Sequence, residues 1–326
     1  MATERTAARR VFDFTGCFEG IVGNVERVIQ GKDDAVRLSL VCLVAEGHLL
    51  IEDVPGVGKT SLAKALATSI DLQWQRIQFT PDLLPSDVTG VNVYNRANGT
   101  FDFRPGGVFA NIVLGDEINR ASPKTQSALL EAMEEHQVTV DANTYRLPSP
   151  FMVIATQNPI EHEGTYPLPE SQVDRFLMRT HMGYPGRHAE ITMLDAHGSG
   201  SLIGQLGPVA DARDVEAMVA QARSVFVAPA LQGYIVDIAA ATRSHPSFAL
   251  GMSPRAALAL QRAARAWAAH LGRDYVTPDD VKSLARPVLS HRLALAADAH
   301  GGLGAEDALE EVLATVPVPT GRAAQA

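Results

Sequence analysis

Residues 53–60, DVPGVGKT, have the composition of a phosphate-binding loop. Such a loop needs glycines where the backbone wraps around phosphate oxygens, a lysine for the outer phosphates and a hydroxyl for Mg²⁺. Two glycines, Lys59 and Thr60 meet these requirements, although Asp53 replaces the glycine that usually opens the pattern. The sequence predicts a nucleotide site formed by Pro55, Gly56, Val57, Gly58, Lys59, Thr60 and Ser61.

An acidic pair, Asp116 and Glu117, directly follows the apolar run 112–114. Mg²⁺ prefers few carboxylates and retained waters, so Asp116 is expected to hold it together with Thr60. Glu117 is then expected to orient and deprotonate the attacking water. An isolated Asp-Glu pair is commonly a solvated turn, but the phosphate loop upstream favours the catalytic interpretation.

A third polar group, Thr156-Gln157-Asn158, follows the apolar run 151–155. An amide at this position can reach a γ-phosphate, which makes Asn158 a candidate sensor. Gln-Asn-Pro alone is typical of a turn. The prediction therefore depends on the loop and the acidic pair.

The elements around these residues alternate between strand and helix. Residues 48–51 form a short apolar run before the loop, and apolar residues recur at helical spacing after it. Further strands are predicted at 74–79, 112–114, 151–155 and 176–182, and residues 21–45 are predicted to be helical with interruptions at Gly23 and Gly31. This alternation predicts an α/β fold with a parallel sheet covered by helices.

Two segments depart from that alternation. Residues 80–108 are rich in Pro, Gly, Asp and Asn and are too long for an ordinary connection. Residues 136–150, HQVTVDANTYRLPSP, predict a β-hairpin. After residue 183 the chain becomes rich in Ala, Leu and Arg at helical spacing, which marks a domain boundary.

Length and composition limit the function classes. The 326 residues favour two domains, and the net charge of −9 disfavours a general nucleic-acid binder. The two cysteines show no metal-ligand spacing. The polar start and the absence of an apolar stretch near the ~20 residues of a membrane helix predict a cytoplasmic protein without a membrane span.

The chain resembles the MoxR family of AAA+ ATPases over nearly its whole length. The stretches that carry the resemblance are EDVPGVGKTSLAKALA, FTPDLLPSDVTG, FRPGGVFANIVLGDEINRASPKTQSALLEAMEE, ATQNPIEHEGTYPLPESQVDRFLMR, GMSPRAALALQRAARAWA and RDYVTPDDVK. This family commonly lacks a glycine at the position of Asp53. The resemblance implies ATP and Mg²⁺ as ligands and assembly into a homo-oligomeric ring, usually a hexamer.

The implied fold is an AAA+ P-loop αβα sandwich with a central parallel sheet, followed by a small all-helical lid. The predicted bounds are 1–185 for the nucleotide-binding domain, 186–210 for a linker and 211–326 for the lid. Within the first domain, 80–108 corresponds to the helix-2 insert and 136–150 to the hairpin before sensor 1.

The resemblance also assigns roles to single residues. Lys59 and Thr60 correspond to Walker A, Asp116 and Glu117 to Walker B, and Asn158 to sensor 1. A further position, Gly23 in the segment GIVGN, is implied to lie near the adenine.

Two arginines complete the implied site. Arg255 corresponds to sensor 2; Ser253-Pro254 predicts a helix start that places it in the first turn, from which it would span the cleft to the γ-phosphate. Arg175 corresponds to the arginine finger that acts on the neighbouring subunit's nucleotide. Arg179 and Arg120 are alternatives for that finger.

Three functions remain open from the sequence. The first is ATP-driven, chaperone-like remodelling or maturation of partner proteins, including metal or cofactor insertion, with von Willebrand factor A domain proteins as co-workers. The second is a nucleotide-gated binding scaffold that hydrolyses slowly. The third, disfavoured by the acidic balance, is a DNA-acting AAA+ protein.

Overall fold

The protein is built around a five-stranded parallel sheet. A computed structural model describes residues 12–158, 164–187, 190–191, 202–296 and 304–319. The sheet strands are β1 (Leu49–Glu52), β2 (Trp74–Gln78), β5 (Ile112–Asp116), β8 (Met152–Gln157) and β9 (Met178–Thr180), in the order β2-β5-β8-β1-β9. All five strands predicted from the sequence are present, and their parallel pairing confirms the α/β prediction.

Helices cover both faces of the sheet, so its strands are apolar on both sides. The helices of this part are α1 (Phe14–Glu26), α2 (Asp33–Val44), α3 (Lys59–Ser69), α4 (Pro85–Thr89), α5 (Pro123–Glu135) and α6 (Glu170–Val173). Leu49 and Ile51 pack in the same core cluster as α1, α2 and α3, whereas Leu50 packs with α5 in a second cluster. Burial on both faces is typical of parallel sheets and explains the unbroken apolar runs.

The helical stretch predicted over 21–45 is interrupted at Gly31, as expected, but not at Gly23, which lies inside α1. The structure has two helices, α1 and α2, separated by residues 27–32. Gly31 lies in this break with φ of 67°, a left-handed conformation that glycine adopts without strain. The break lets α1 and α2 pack against each other and places the connecting loop beside the phosphate loop.

Both predicted insertions contain β-hairpins. The segment 80–108 holds α4 and the antiparallel strands β3 (Gly90–Asn95) and β4 (Thr100–Pro105), and the later hairpin consists of β6 (Gln137–Val140) and β7 (Asn143–Arg146). The hairpins contact each other: the ring of Phe103 stacks on Tyr145 at 3.8 Å, and Asn92 Nδ2 donates to Asp141 Oδ2 at 2.6 Å.

A helical lid follows the sheet domain. Its helices are α7 (Ala212–Ser224), α8 (Pro229–Ser244), α9 (Pro254–His270), α10 (Pro278–Leu289) and α11 (Ala305–Thr315), and its strands β10 (Phe248–Leu250) and β11 (Ala294–Leu295) form one short antiparallel pair. In the residues that the structure describes, the regular elements of the lid are therefore helical apart from that pair and one isolated bridge between Phe226 and Tyr275. As predicted, Ser253 caps α9 by accepting a hydrogen bond from the Ala256 amide at 3.1 Å. Much of the predicted linker 186–210 lies outside the described residues, and the residue bounds of the domains stay a prediction.

Long apolar helices of the kind that cross a membrane do not occur in the ranges that the structure describes.

The buried side chain of His48 links α5 to β8 near the amino ends of the sheet strands. His48 Nδ1 accepts a hydrogen bond from the Val153 amide at 3.0 Å, and the opposite nitrogen, Nε2, donates to the Met133 carbonyl at 2.9 Å. These partners require the neutral imidazole with its proton on Nε2. Burial lowers the pKa of His48 to about 4.

The neutral His48 predicts a loss of stability in acid. Its folded pKa lies below the usual value near 6.5, so the unfolded chain binds the proton more tightly. The His48 contribution is complete above pH ~6.5 and declines towards pH 4 by up to about 1.4 kcal/mol per pH unit. Denaturant unfolding across this range should give a shallower pH dependence for His48→Gln than for the wild type. Equal slopes would contradict the assignment.

Candidate functional site

The loop between β1 and α3 has the backbone of a phosphate cradle. Gly56 and Gly58 have φ values of 85° and 98°, in the region that favours glycine. Gly58 is also the N-cap of α3, and the amides of the first helical turn that follows it lack helical partners. Pro55 and Gly56 are exposed, and Val57, Gly58, Thr60 and Ser61 are partly buried. The loop is therefore open to a ligand at the positive end of a helix.

The side chain of Lys59 is buried at the base of this loop. Its Nζ donates to the main-chain carbonyl of Asp53 at 2.7 Å. Burial lowers the pKa of Lys59, and the nearby carboxylates of Asp116, Asp53 and Glu117 oppose that shift. The structure thus brings the predicted lysine and the predicted acidic pair together.

Asp53 has a structural role that the loop pattern did not show. Its Oδ2 accepts hydrogen bonds from the amides of Met182 and Gly183, both at 2.6 Å. Its own amide donates to the Gln157 carbonyl at 3.2 Å. The first residue of the loop is thereby tied to the ends of β8 and β9.

Asp116 ends β5 beside the end of β8. Its Oδ1 accepts a hydrogen bond from the Thr156 hydroxyl at 2.6 Å, and its Oδ2 accepts from Arg76 Nη2 at 2.6 Å. The Arg76 guanidinium thus places a positive charge against the carboxylate that was predicted to hold the metal.

Glu117 directly follows β5 and has an unusual backbone conformation. Its φ of 57° is left-handed, which is uncommon for a non-glycine residue and is found at functional sites. The Thr156 hydroxyl accepts from its amide at 2.9 Å. Its Oε2 accepts from Gln78 Nε2 at 3.1 Å and pairs with Arg120 at 3.0 Å. The carboxylate is therefore held in place by two donors.

The sequence did not predict the contacts that Arg76, Gln78 and Thr156 make with the acidic pair. Gln78 lies opposite Asp116 in the register of β2 and β5. Arg76 and Gln78 alternate along β2, so they share a face. This polar alternation was visible in the sequence, but only the strand order shows that it lies beside the acidic pair.

Asn158 is buried directly after β8, at the same edge of the sheet. The residues that follow it, 159–163, lie outside the described ranges.

Gly23 is not brought to the phosphate loop. It is exposed on α1, with no heavy atom within 4 Å of the place that a Cβ would occupy. Ile29, which follows the break after α1, reaches the loop instead: its Cδ1 would lie 4.0 Å from a Cβ on Gly58. The expectation of Gly23 near the adenine is corrected because α1 turns that residue outwards.

Arg175 and Arg255 lie together near the amino ends of the sheet strands, at the opposite end from the phosphate loop. Both pair with Glu134, at 3.2 Å for Arg175, and Arg255 lies 3.9 Å from Asp174. Glu134 is near the end of α5, and Arg175 precedes β9. These positions mark the amino ends of the strands, whereas the phosphate loop follows the carboxyl end of β1.

The expectation that Arg255 spans the cleft to the γ-phosphate of its own chain is therefore wrong for this structure. A strand advances about 3.3 Å per residue, so the length of the sheet strands separates Arg255, at their amino ends, from the loop at their carboxyl ends. The physical reason is the placement of α9, whose first turn packs beside the end of α5.

The two alternative finger residues have partners within the chain. Arg179 lies 3.2 Å from the carboxylate of Glu52 and donates to the Ser290 hydroxyl at 3.1 Å. Arg120 pairs with Glu117, as described above. Arg179 thus links β9 to β1 and the lid, and Arg120 belongs to its own chain's acidic pair.

The oxygen ligands fit Mg²⁺. Asp116 supplies a carboxylate and Thr60 a hydroxyl, and this hard-oxygen chemistry with few protein ligands suits Mg²⁺ bound together with phosphates. Groups of three or more His, Cys, Asp or Glu that could together hold a metal ion do not occur in the described part of the chain. Mg²⁺ at a nucleotide site does not require one, because phosphate and water complete its coordination.

Comparison with known proteins gives two family matches. Residues 48–178 match the ATPase family associated with various cellular activities (AAA), and residues 240–312 match the AAA lid domain. A candidate ATPase of known structure from Cytophaga hutchinsonii superposes with a TM-score of 0.87 at 38% identity, covering 94% of this chain and 96% of that one.

Two curated relatives align over most of their length. The uncharacterized protein YeaC of Bacillus subtilis is 51% identical over 93% of this chain and 95% of its own. The chaperone MoxR1 of Mycobacterium tuberculosis is 42% identical over 92% of this chain and 82% of its own. With this degree of identity across the sheet domain and the lid, the chain belongs to the MoxR family of AAA+ ATPases.

Proposed function

We propose that the protein hydrolyses ATP with Mg²⁺ at the edge of the sheet where the phosphate loop lies. The observation that carries this proposal is the meeting of three groups: an open glycine loop, the buried ammonium of Lys59, and the carboxylates of Asp116 and Glu117 around it. Loop amides and an ammonium bind phosphate oxygens, and carboxylates serve a metal and a water.

Phosphate binding changes the partner of Lys59. In the structure its Nζ donates to the Asp53 carbonyl, a neutral acceptor. A phosphate oxygen is a charged acceptor and makes a stronger hydrogen bond. We infer that Lys59 leaves the carbonyl and pairs with the outer phosphates when ATP occupies the loop, with amides of residues 55–61 completing the cradle.

Mg²⁺ would be held by Thr60 and Asp116, and when bound it neutralises charge on the phosphate oxygens. For Asp116 Oδ2 to serve the metal, Arg76 would have to release it, since both cations compete for one carboxylate. Thr156 keeps hold of the other oxygen, Oδ1, and so preserves the orientation of the side chain.

Glu117 is the proposed general base. A water placed between Glu117 Oε and the γ-phosphorus loses a proton to the carboxylate as its oxygen bonds to that phosphorus, and the bond from the phosphorus to the β–γ bridging oxygen breaks, so that ADP and inorganic phosphate leave. Gln78 and Arg120 hold this carboxylate in the structure, and Asn158 lies buried at the end of the adjacent strand. We propose Asn158 as the sensor that contacts the γ-phosphate or the water.

Arg175 and Arg255 are proposed to act on the nucleotide of a neighbouring subunit. Neither can reach its own phosphate loop, and both are partly exposed beside Glu134. Solvent-exposed ion pairs are worth about 0.2–1 kcal/mol, so a neighbour's phosphate can displace Glu134 from either guanidinium. A head-to-tail contact of this kind closes into a ring, which we propose to be a hexamer.

The proposed biological role is chaperone-like remodelling or maturation of partner proteins, with von Willebrand factor A domain proteins as co-workers. The support is the name of the relative MoxR1, a chaperone. A slowly hydrolysing scaffold would keep the same nucleotide contacts. The two differ in whether maturation of a client stops, or the client complex persists, when hydrolysis is blocked.

Replacing Glu117 by glutamine tests the proposed activity. The amide keeps the size of the side chain but cannot accept the proton, so turnover should fall by ~10²–10⁴-fold while ATP affinity changes little. Phosphate release and equilibrium ATP binding measure the two effects. Glu135→Gln, at the exposed end of α5, is the matched control and should keep wild-type turnover. Wild-type-like hydrolysis by Glu117→Gln would exclude Glu117 as the base.

Mixing two inactive variants tests whether sites are completed between subunits. Arg175→Ala should lose ~10³-fold or more in turnover, as arginine fingers do. Co-assembled with Glu117→Gln at equal amounts, it should recover turnover, because roughly a quarter of head-to-tail interfaces then combine an intact base with an intact finger.

The control mixture combines Glu117→Gln with Lys59→Ala. Both changes affect the same side of an interface, so no complete site forms and turnover should stay at the level of the single variants. Recovery in this control, or none in the Arg175→Ala mixture, would contradict action between subunits.

A further inference from the structure

The carboxylate of Asp53 is buried and engaged on both oxygens. Its Oδ2 accepts from the Met182 and Gly183 amides at 2.6 Å each, and its Oδ1 accepts from the Val54 amide at 3.1 Å. Asp53 is 9% exposed. Glycine, the usual residue at this place, could offer none of these side-chain contacts.

The segment held by Asp53 is also held from its other end. Lys32, in the break between α1 and α2, donates from Nζ to the Tyr184 carbonyl at 2.5 Å. Gly183, between the two attachments, has φ of 62° and so bends the chain sharply. Two charged side chains from different elements therefore fix the backbone of residues 182–184.

This fixed segment lies beside the phosphate loop. A Cβ built on Gly58 would lie 3.8 Å from Met182 Cε and 4.0 Å from Ile29 Cδ1, so both side chains border the start of α3. Tyr184, two residues beyond Met182, is 74% exposed. The segment thus places Met182 next to the loop and leaves the exposed Tyr184 two residues further along the chain.

We propose that Asp53 is a positioning residue that fixes residues 182–184 as the wall contacting the base and ribose of the bound nucleotide. This inference rests on the proposed nucleotide site. Residues 55–61 are the proposed cradle of the phosphates. The Asp53 carboxylate does not face them, because it accepts hydrogen bonds from the Met182 and Gly183 amides of the wall. Loss of that carboxylate should therefore weaken binding of the nucleoside end more than binding of the phosphate end.

Comparing the affinities for ATP and for inorganic tripolyphosphate separates the contribution of the nucleoside from that of the phosphates. Calorimetric titrations with Mg²⁺ would use the full-length wild type, Asp53→Asn and Asp53→Gly. Both variants should bind ATP about tenfold more weakly, the loss expected for charge-assisted hydrogen bonds, while tripolyphosphate affinity stays within about twofold. In turnover assays KM should rise with kcat nearly unchanged, because the wall contacts substrate and transition state alike.

An exposed side chain provides a second variant that does not challenge folding. Tyr184→Ala should also weaken ATP and spare tripolyphosphate. Asp237→Asn and Tyr275→Ala, exposed residues of the lid, are the matched controls and should bind both ligands as the wild type does.

Equal losses for ATP and tripolyphosphate, or unchanged ATP affinity in both Asp53 variants and Tyr184→Ala, would overturn the proposal. A lower melting temperature with unchanged affinities would reduce Asp53 to a structural residue and would overturn it too. Failure of the proposed function is a separate outcome, since the wild type would then bind neither ATP nor tripolyphosphate.

Discussion

The parallel pairing of β5, β8 and β1 is the constraint on which the site depends. Parallel neighbours bring their carboxyl ends to one edge of a sheet, so residues far apart in sequence meet there. Asp116, the last residue of β5, shares a hydrogen bond with Thr156, the last residue but one of the adjacent strand β8. The amide of Asp53, directly after β1, donates to the carbonyl of Gln157 at the end of β8. A shift of one residue in the pairing register of β5 would turn the Asp116 side chain to the opposite face of the sheet.

The same constraint separates the arginines from the site that they are proposed to serve. α5 runs back across the sheet from the acidic pair, so its last turn and Glu134 reach the amino edge. The first turn of α9 packs there as well and carries Arg255 next to Arg175. One chain therefore presents a phosphate loop at one edge and a guanidinium pair at the other, an arrangement suited to head-to-tail contact between copies.

The sequence was sufficient for the features that depend on local patterns. Apolar runs predicted the five sheet strands, and turn residues predicted the hairpin at 136–150, because these signals arise from neighbouring residues. The predicted interruption of the helical stretch 21–45 occurs at Gly31, which has a positive φ, whereas Gly23 stays inside α1. Contacts across the sheet could not be predicted from local patterns. The hydrogen bond between Gln78 and Glu117 depends on the strand order, and the hydrogen bond between Asp53 and the Met182 amide depends on the path of the backbone after β9. Arg255 was misplaced for the same reason, since its helix start was correct and only the packing of α9 decided what it faces.

The central claim is that ATP hydrolysis needs two subunits, one with the loop and one with the arginines. The most direct measurement follows ATP turnover per chain and assembly mass in the same samples across a dilution series. The account predicts that turnover per chain falls in parallel with loss of the assembly as the protein is diluted. Undiminished turnover per chain in a sample shown to be monomeric would contradict it.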